Sequence, residues 1–539
     1  MKKNPGVIVP GFLCFIDEGR MFEKKSIFLI LITFFTVTSF CAEHSENYLQ
    51  DLPTEILATI AGKLQHADWL TMRLVKKDLA CRFFPWHFQI VAGKKVKLDN
   101  VSSLNEWQYA LYNEIIQAFC LSRNIGFGNI ALDLSANFSC TCHHNLLENI
   151  LHFCAEHEIP LNALELSDNR IQDLNVRWHT LKSIRRLDLS YNKISDGLLD
   201  VICHEMTQLE TLLLDDVHIT HLPESIELLK NLHILDCQHN DIKQLPKSFA
   251  NLQALKILRL SCNPNLSEQA FDMIGNECSK LEDLELPSVG YISASIKNLT
   301  KLQKLRLGYK YEWDPDGFSP GIVTTEMLDV IGNSLPQLKK LEIVGNPIFP
   351  ESMANLKNVK SLHVHYAGQL SREVLASIAL RLPHLERLNF SCISQLAYPF
   401  PPECKQMKRL KKLVLSRSLL PNVVRSEHID WICQVFSQLE ELNLQSSKIR
   451  SLPKSIRHLT SLHTLNLWGC KMLPRRLYPV CRKLPHLQHL NIRNCELQNI
   501  PQEIGNLSNL KTLRLGYNPL SYATILRIKQ QLPKTALYR

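Results

Sequence analysis

LNALELSDNRI, Leu161 to Ile171, places leucine at its first, fourth and sixth positions, asparagine at its ninth and isoleucine at its eleventh. The same spacing returns at Ile184 (IRRLDLSYNKI), Leu209 (LETLLLDDVHI), Leu232 (LHILDCQHNDI) and Leu255 (LKILRLSCNPN), then in ten further units as far as LKTLRLGYNPL at Leu510. Most of the fifteen units start 21 to 29 residues after the one before, and one interval of 36 residues contains YEWDPDGFSPG. A unit of that size cannot enclose a core alone, so its leucines must stack on those of its neighbours. The first, fourth and sixth residues then point inward, and the residues between them form a short parallel strand whose other side chains face out. Asn169, Asn192, Asn240, Asn263, Asn346 and Asn518 hold the ninth position, where a buried amide can bond the turning backbone of adjacent units; Cys470 and Cys495 stand there in two others.

These units resemble the leucine-rich repeat family. The resemblance implies an α/β fold: a horseshoe solenoid with a parallel sheet on its concave face. The segments LPESIELLKN, LPKSFANLQA, LPKSIRHLTS and IPQEIGNLSN open on a proline-containing turn and predict tight or single-turn convex connections. SDGLLDVICHEMTQ, TTEMLDVIGNSLPQ, SREVLASIALRLPH and RSEHIDWICQVFSQ carry apolar residues at helical spacing and predict convex helices of two or three turns. ALDLSANF, Ala131 to Phe138, reads as a degenerate first coil, and SYATILRIKQQL after the last unit as a terminal cap.

The third, fifth, seventh and eighth residues of each unit are expected to line the concave face. Glu165, Asp188, Asp215, Asp216 and Asp236 make its first part acidic; Arg259, Lys304, Arg306, Lys340, His363 and His365 make the middle basic. Asn389, Asn443, Asn466 and Asn491 follow at the fifth position, with Arg417, Trp468, Arg493, Arg514 and Tyr517 nearby. Exposed aromatic and arginine side chains are frequent anchors of protein interfaces, so these nine residues are the expected binding site for a protein target.

A chain of 539 residues that is 45% hydrophobic has ample material for a large core. Its net charge of +9 is the difference between 61 basic and 52 acidic residues scattered along the sequence, which gives no focused field for nucleic acid. Seventeen cysteines, an odd number without paired spacing, argue against a disulfide framework. Cys203, Cys433 and Cys481 fall in the apolar face of expected convex helices and read as small buried thiols. IFLILITFFTVTSFCA, Ile27 to Ala42, follows Glu23-Lys24-Lys25 and ends on small residues, the layout of an export signal cleaved before Ala42. Retention of this segment as a membrane anchor is the alternative, and either Met1 or Met21 is the start.

The stretch beginning LPTEILATIAGKL at Leu52 has helical spacing with Pro53 in the first turn, and Asp68 is placed to cap a second helix carrying Leu70, Met72, Leu74 and Val75. Leu52, Pro53, Glu55, Ile56, Leu57, Ile60, Leu64, Asp68, Leu70, Arg73, Val75 and Lys77 together resemble the F-box family; Lys76 and Leu79 depart from it, where cysteine and tryptophan are usual. The resemblance implies that Leu52, Pro53, Ile56, Leu57, Ile60, Leu64, Leu70 and Val75 dock onto the Skp adaptor of a cullin-type ubiquitin ligase while the repeats hold a substrate. An export signal joined to a cytosolic docking module suits a secreted effector acting in a host cytoplasm; the alternative is an exported or membrane-anchored binding scaffold.

The expected layout is therefore an N-terminal extension with a signal-like segment at 1–42, an F-box-like helical module at 43–90, a linker and N-terminal capping region at 91–160, and leucine-rich repeats with their C-terminal cap at 161–539. No catalytic constellation is present in the sequence, and no cofactor is expected. Gly126-Phe127-Gly128 lacks the remaining glycine of a dinucleotide loop. Cys140-Thr141-Cys142-His143-His144 has metal-ligand chemistry without a distant second pair, so packing in the capping region is the expected role.

Overall fold

Each repeat unit contributes one short strand to a parallel stack that runs from Lys95–Asp99 to Ala536–Tyr538, and two adjacent units add second strands, Gly368–Leu370 and Ile393–Leu396, which pair with each other. The computed structural model describes residues 161–538 apart from 182, 288–290, 309–322, 346, 417–422, 448 and 472–473. Before them it describes the strand backbones Leu70–Leu74, Trp86–Val91, Lys95–Asp99 and Ile130–Asp133, and residues 147–148 and 151–152. Apart from Gly368–Leu370 and Ile393–Leu396, the strands join in one 20-stranded sheet. After a register shift at Ile130–Ala131, the pairing runs without a slip through the next units: Leu164 partners Leu187, Leu187 partners Leu212, and Leu212 partners Leu235. Leu164, Leu187, Leu212 and Leu235 are all fully buried, so a register error would expose a leucine in every coil.

The asparagines at the ninth position tie this stack together. Asn192 Oδ1 accepts from the backbone N–H groups of Asn169 (3.0 Å) and Ile171 (2.9 Å), while its Nδ2 donates to the carbonyls of Leu166 (2.9 Å) and Leu189 (2.7 Å). Asn240 and Asn518 repeat all four bonds one coil apart. Cys470 and Cys495 donate from Sγ to the carbonyls of Leu444 and Leu467, the bond that crosses to the preceding coil. Ser447 fills the same place in its unit through its hydroxyl to Leu415 O. Asn346 lies outside the described residues, as do the insertion at 309–322 and the cluster at 140–144.

On the other side of the coils two kinds of connection occur, as the sequence predicts. Single 3-10 turns follow proline at Glu224–Leu228, Lys247–Asn251, Lys454–His458 and Gln502–Asn506. α-Helices occupy Asp196–Glu205, Thr325–Ser334, Arg372–Arg381 and Ser426–Val435, and Tyr522–Gln531 follows the last repeat. Side chains of Ser195, Thr324, Ser371 and Ser521 cap four of these helices by accepting from an N–H three residues on. From Glu268–Glu277 onward, helix and 3-10 turn alternate coil by coil. Strands stack at about 4.8 Å whereas a helix is about 10 Å wide, so helices in every coil would splay the outer side; alternation relaxes that mismatch.

The helices meet the next coil through a small residue that follows a buried isoleucine: Cys203, Gly275, Gly332, Ala379 and Cys433. A Cβ on Gly332 would sit 2.5 Å from the backbone carbonyl carbon of Ser352, and one on Gly275 2.6 Å from that of Ser295. The buried thiols anticipated at Cys203 and Cys433 thus occupy the position where the neighbouring coil comes closest. All ten cysteines from Cys203 onward in the described residues are free.

The second helix expected from Asp68 is corrected by the structure. Leu70–Leu74 is a strand, antiparallel to Trp86–Val91 with Leu70 opposite Ile90 and Met72 opposite Phe88. LTMRL alternates apolar and polar residues, so it satisfies the two-residue period of a strand as well as the helical one, and sheet pairing decides between them. The remainder of 43–69 and the apolar segment 27–42 lie outside the described residues. No helix among the described residues is long and apolar enough to cross a membrane.

Gly332→Ala is expected to destabilise the protein by about 1–3 kcal/mol in chemical denaturation, because backbone rather than a flexible side chain must yield. Gly197→Ala, with only Ser195 Oγ at 3.7 Å, is the control and should be neutral or slightly stabilising.

Candidate functional site

Residues at the fifth position of successive units stand side by side across the sheet, and over five coils their charges alternate, Asp236, Arg259, Glu285, Arg306 and Glu342, with the imidazole of His363 next in the row. Arg259 Nη1 lies 2.9 Å from Asp236 Oδ2. Arg306 reaches three carboxylates, Asp283 at 3.3 Å, Glu285, and Glu342 at 3.7 Å. Burial opposes the charge of Arg306, but those carboxylates outweigh it and raise its pKa. Further toward the N-terminus Asp215 is held by Tyr191 Oη at 3.0 Å and His239 Nδ1 at 2.5 Å. Asp236 of the acidic stretch thus pairs with Arg259 of the basic one, whereas Lys304, Arg306 and Lys340 pair with Asp283, Glu285 and Glu342 on the strands between.

At the C-terminal end of this row the concave face opens into a cavity of about 530 Å³ spanning five coils. Lys340, His363, His365, Arg387, Asn389, Ser391, Lys412, Ser416, Asn443 and Gln445 line it, all at third, fifth or seventh positions. None of its lining residues is Asp or Glu. Lys340 bonds the carboxylate of Glu342, and Lys412 pairs with Glu441 at 2.8 Å. Arg387 is exposed and forms no ion pair among the described residues.

Glu342, 6% exposed, lies beneath the N-terminal edge of this cavity. His365 Nε2 stands 3.4 Å from its Oε2 and His363 Nδ1 3.6 Å from its Oε1. Burial pushes the Glu342 carboxyl up; hydrogen bonds from His365 and Lys340 and the charges of His363 and Lys340 overcome this and hold it well below its ordinary range. Ser391 Oγ lies 3.3 Å from His365 Nδ1.

Of the nine expected target-binding residues, the cavity brings together only Asn389 and Asn443. Arg417 lies outside the described residues. Asn466, Trp468, Asn491, Arg493, Arg514 and Tyr517 continue along the same face beyond it. The asparagines serve the backbone locally, since Oδ1 of Asn443, Asn466 and Asn491 accepts from the N–H two residues on at 2.9, 3.1 and 3.2 Å and fixes the bend after each strand. Arg493 packs over the ring of Tyr517 at 5.2 Å and Arg514 over Tyr538 at 5.7 Å. Tyr517 is 78% exposed. Arg387, Lys412, Ser416 and Gln445 were missed as site residues; their third and seventh positions were the available signal. Of the expected adaptor-docking residues, Leu52, Pro53, Ile56, Leu57, Ile60, Leu64 and Val75 lie outside the described residues, and Leu70 begins the strand Leu70–Leu74.

Residues 161–415 match the family model "Leucine-rich repeat region", and residues 486–507 match "Leucine Rich Repeat". The chain is a leucine-rich repeat protein. This leucine-rich repeat protein is 29% identical over 163 residues to the Arabidopsis thaliana homolog of protein phosphatase 1 regulatory inhibitor subunit PPP1R7, covering 29% of its own length and 48% of that protein. It is 24% identical over 405 residues to Toll-like receptor 10 of Bos taurus, covering 60% of this chain and 49% of the receptor. A match to disease resistance protein RPP2A of Arabidopsis thaliana, 28% identical over 134 residues, covers 23% of this chain and 10% of that one. The chain thus spans half or less of the length of these curated relatives. Among solved structures, a leucine-rich repeat protein of Leptospira interrogans is 27% identical, with 76% of this chain and 89% of that one covered and a TM-score of 0.39.

Glu342 supplies a pH signature. Its folded pKa lies below the unfolded value near 4.5, so its contribution is complete above that pH and lost as pH falls through the acid range. Glu342→Gln should cost roughly 3 kcal/mol at pH 7. Between pH 5 and pH 3 it should lose less further stability than wild type, as measured by urea denaturation at each pH.

Proposed function

We propose that this protein is a non-catalytic scaffold whose concave face grips a segment of another protein, with the cavity between Lys340 and Gln445 as the principal contact. The observation that carries the reading is the lining itself: three cationic side chains, two imidazoles and a set of amides and hydroxyls, with no carboxylate, on a rigid sheet. Such a surface favours a partner segment with acidic or hydrogen-bond-accepting side chains. The thiols of Cys203, Cys404, Cys433, Cys470 and Cys481 are pushed up to about 12 by burial, so they stay protonated and suit packing rather than nucleophilic chemistry. The names of two relatives, a phosphatase regulatory subunit and a receptor, are in keeping with a binding role.

A photo-crosslinking residue at Ser416 or Gln445 should trap a protein in extracts of the native cell, and one at Leu380, exposed on the helix side, should not. Reversing Arg387 and Lys412 together to glutamate should weaken capture of that protein at least tenfold, about 1.4 kcal/mol. Equal loss on reversing Arg493 and Arg514 instead would move the contact to the far coils.

A finer reading rests on the spacing of Leu52-Pro53, Glu55-Ile56-Leu57, Ile60 and Leu64. In it the N-terminal segment docks a Skp-type adaptor, and the chain is the substrate receptor of a cullin ubiquitin ligase, exported by way of the apolar segment 27–42 and active in a host cytoplasm. The strand at Leu70–Leu74 removes the second docking helix, so the first helix would have to carry the contact. Purified adaptor should be retained by wild-type protein and lost on changing Leu52 and Pro53 to alanine; no retention by wild type leaves the scaffold without the ligase role.

A further inference from the structure

We propose that Glu342, His363 and His365 form a binding site for a divalent transition metal of the zinc class. The site follows from strand geometry. His363 and His365 are two residues apart on one strand, so both face the concave side, and Glu342 is the in-register partner of His363 on the neighbouring strand. One ligand atom from each residue lies within 4.8 Å of the others. Four-coordinate zinc, with bonds of about 2.0–2.1 Å, holds its donors about 3.3–3.4 Å apart. His365 Nε2 to Glu342 Oε2, at 3.4 Å, already has that spacing; His363 Nδ1 stands 3.6 Å from the other oxygen, Oε1, and has to turn toward Oε2 to share the ion.

The surroundings are those of a prepared ligand set. Lys340 and Arg306 both approach Oε1 of Glu342, leaving Oε2 toward His365. Ser391 Oγ can accept a hydrogen bond from His365 Nδ1–H once Nε2 is given to the metal, which fixes the ligating tautomer. Two imidazoles and one carboxylate leave a fourth position, and it faces the cavity, where water or a donor from a bound chain completes the coordination. Asp283, Glu285 and Glu342 are balanced by Lys304, Arg306 and Lys340, so the metal enters a cluster without spare negative charge. Lys340 is the direct competitor, and its removal should strengthen binding. The site does not depend on the scaffold reading.

The full chain, stripped with a chelator, is titrated with Co²⁺ read by visible absorption and with Zn²⁺ read against a chelating dye. Wild type should bind one ion per chain more than His363→Ala or His365→Ala, with a Co²⁺ band lost in both variants. Ser391→Ala should weaken that ion about tenfold. Lys340→Met should bind it more tightly than wild type. Equal stoichiometry and affinity in wild type and the two histidine variants overturns the site. Melting of the metal-free proteins shows whether a histidine variant has lost its fold. If one has, Lys340→Met decides: tighter binding supports the site and unchanged binding overturns it.

Discussion

A buried amide that bonds two coils at once is the constraint on which the first coils and the last of the solenoid depend; Ala367 and Ile393 stand in its place in two middle coils, where Gly368–Leu370 pairs with Ile393–Leu396 instead. Asn192 and Asn240 each accept from two N–H groups of the preceding coil and donate back to its carbonyl and their own. The backbone turns sharply behind every strand, and its polar groups there are out of reach of water. Without the side chain they would be buried unpaired, at about 1–3 kcal/mol each. With it, the turn of one coil is positioned by the next, and the strand in front inherits a fixed register. Cysteine or serine at this place retains the carbonyl contact to the coil before, which is enough to continue the stack.

That fixed register is what turns a sequence of isolated charges into a continuous row. Asp236 through Glu342 neutralise one another from strand to strand, so the middle part of the concave face is held by its own ion pairs. The row ends where Asn389 follows His363, and there the face opens into the cavity with Arg387 exposed at its wall. Recognition and rigidity are thus divided along the same surface.

Much of this was legible in the sequence, because the inward leucines, the ninth-position asparagines and the two classes of outer segment each have a local signature. The concave positions were also legible: His363 and His365 stand on the face their offsets predict. What could not be read was pairing between coils. Lys340 stands two residues from Glu342 on the same strand, but the importance of Glu342 comes also from His363, His365 and Arg306, which only strand register brings to it. Asn443, Asn466 and Asn491 are expected contacts for a target, and their side-chain oxygens also shape the bend after each strand, which the sequence does not show. At Leu70–Leu74 five residues fit both periods, and a partner strand made the choice.

The alternation of helix and 3-10 turn from Glu268 onward has a bearing on how such a chain changes length. Gly275 and Gly332 are trimmed to receive the slim turns at Ser295 and Ser352. Excising one turn-bearing coil would press two helices together at a separation meant for a helix and a turn, and excising one helix-bearing coil would leave two turns side by side. Excising two would restore every neighbour. The unit that duplication or deletion can copy without a clash is therefore the doublet of coils, about twice the period that the leucines themselves announce.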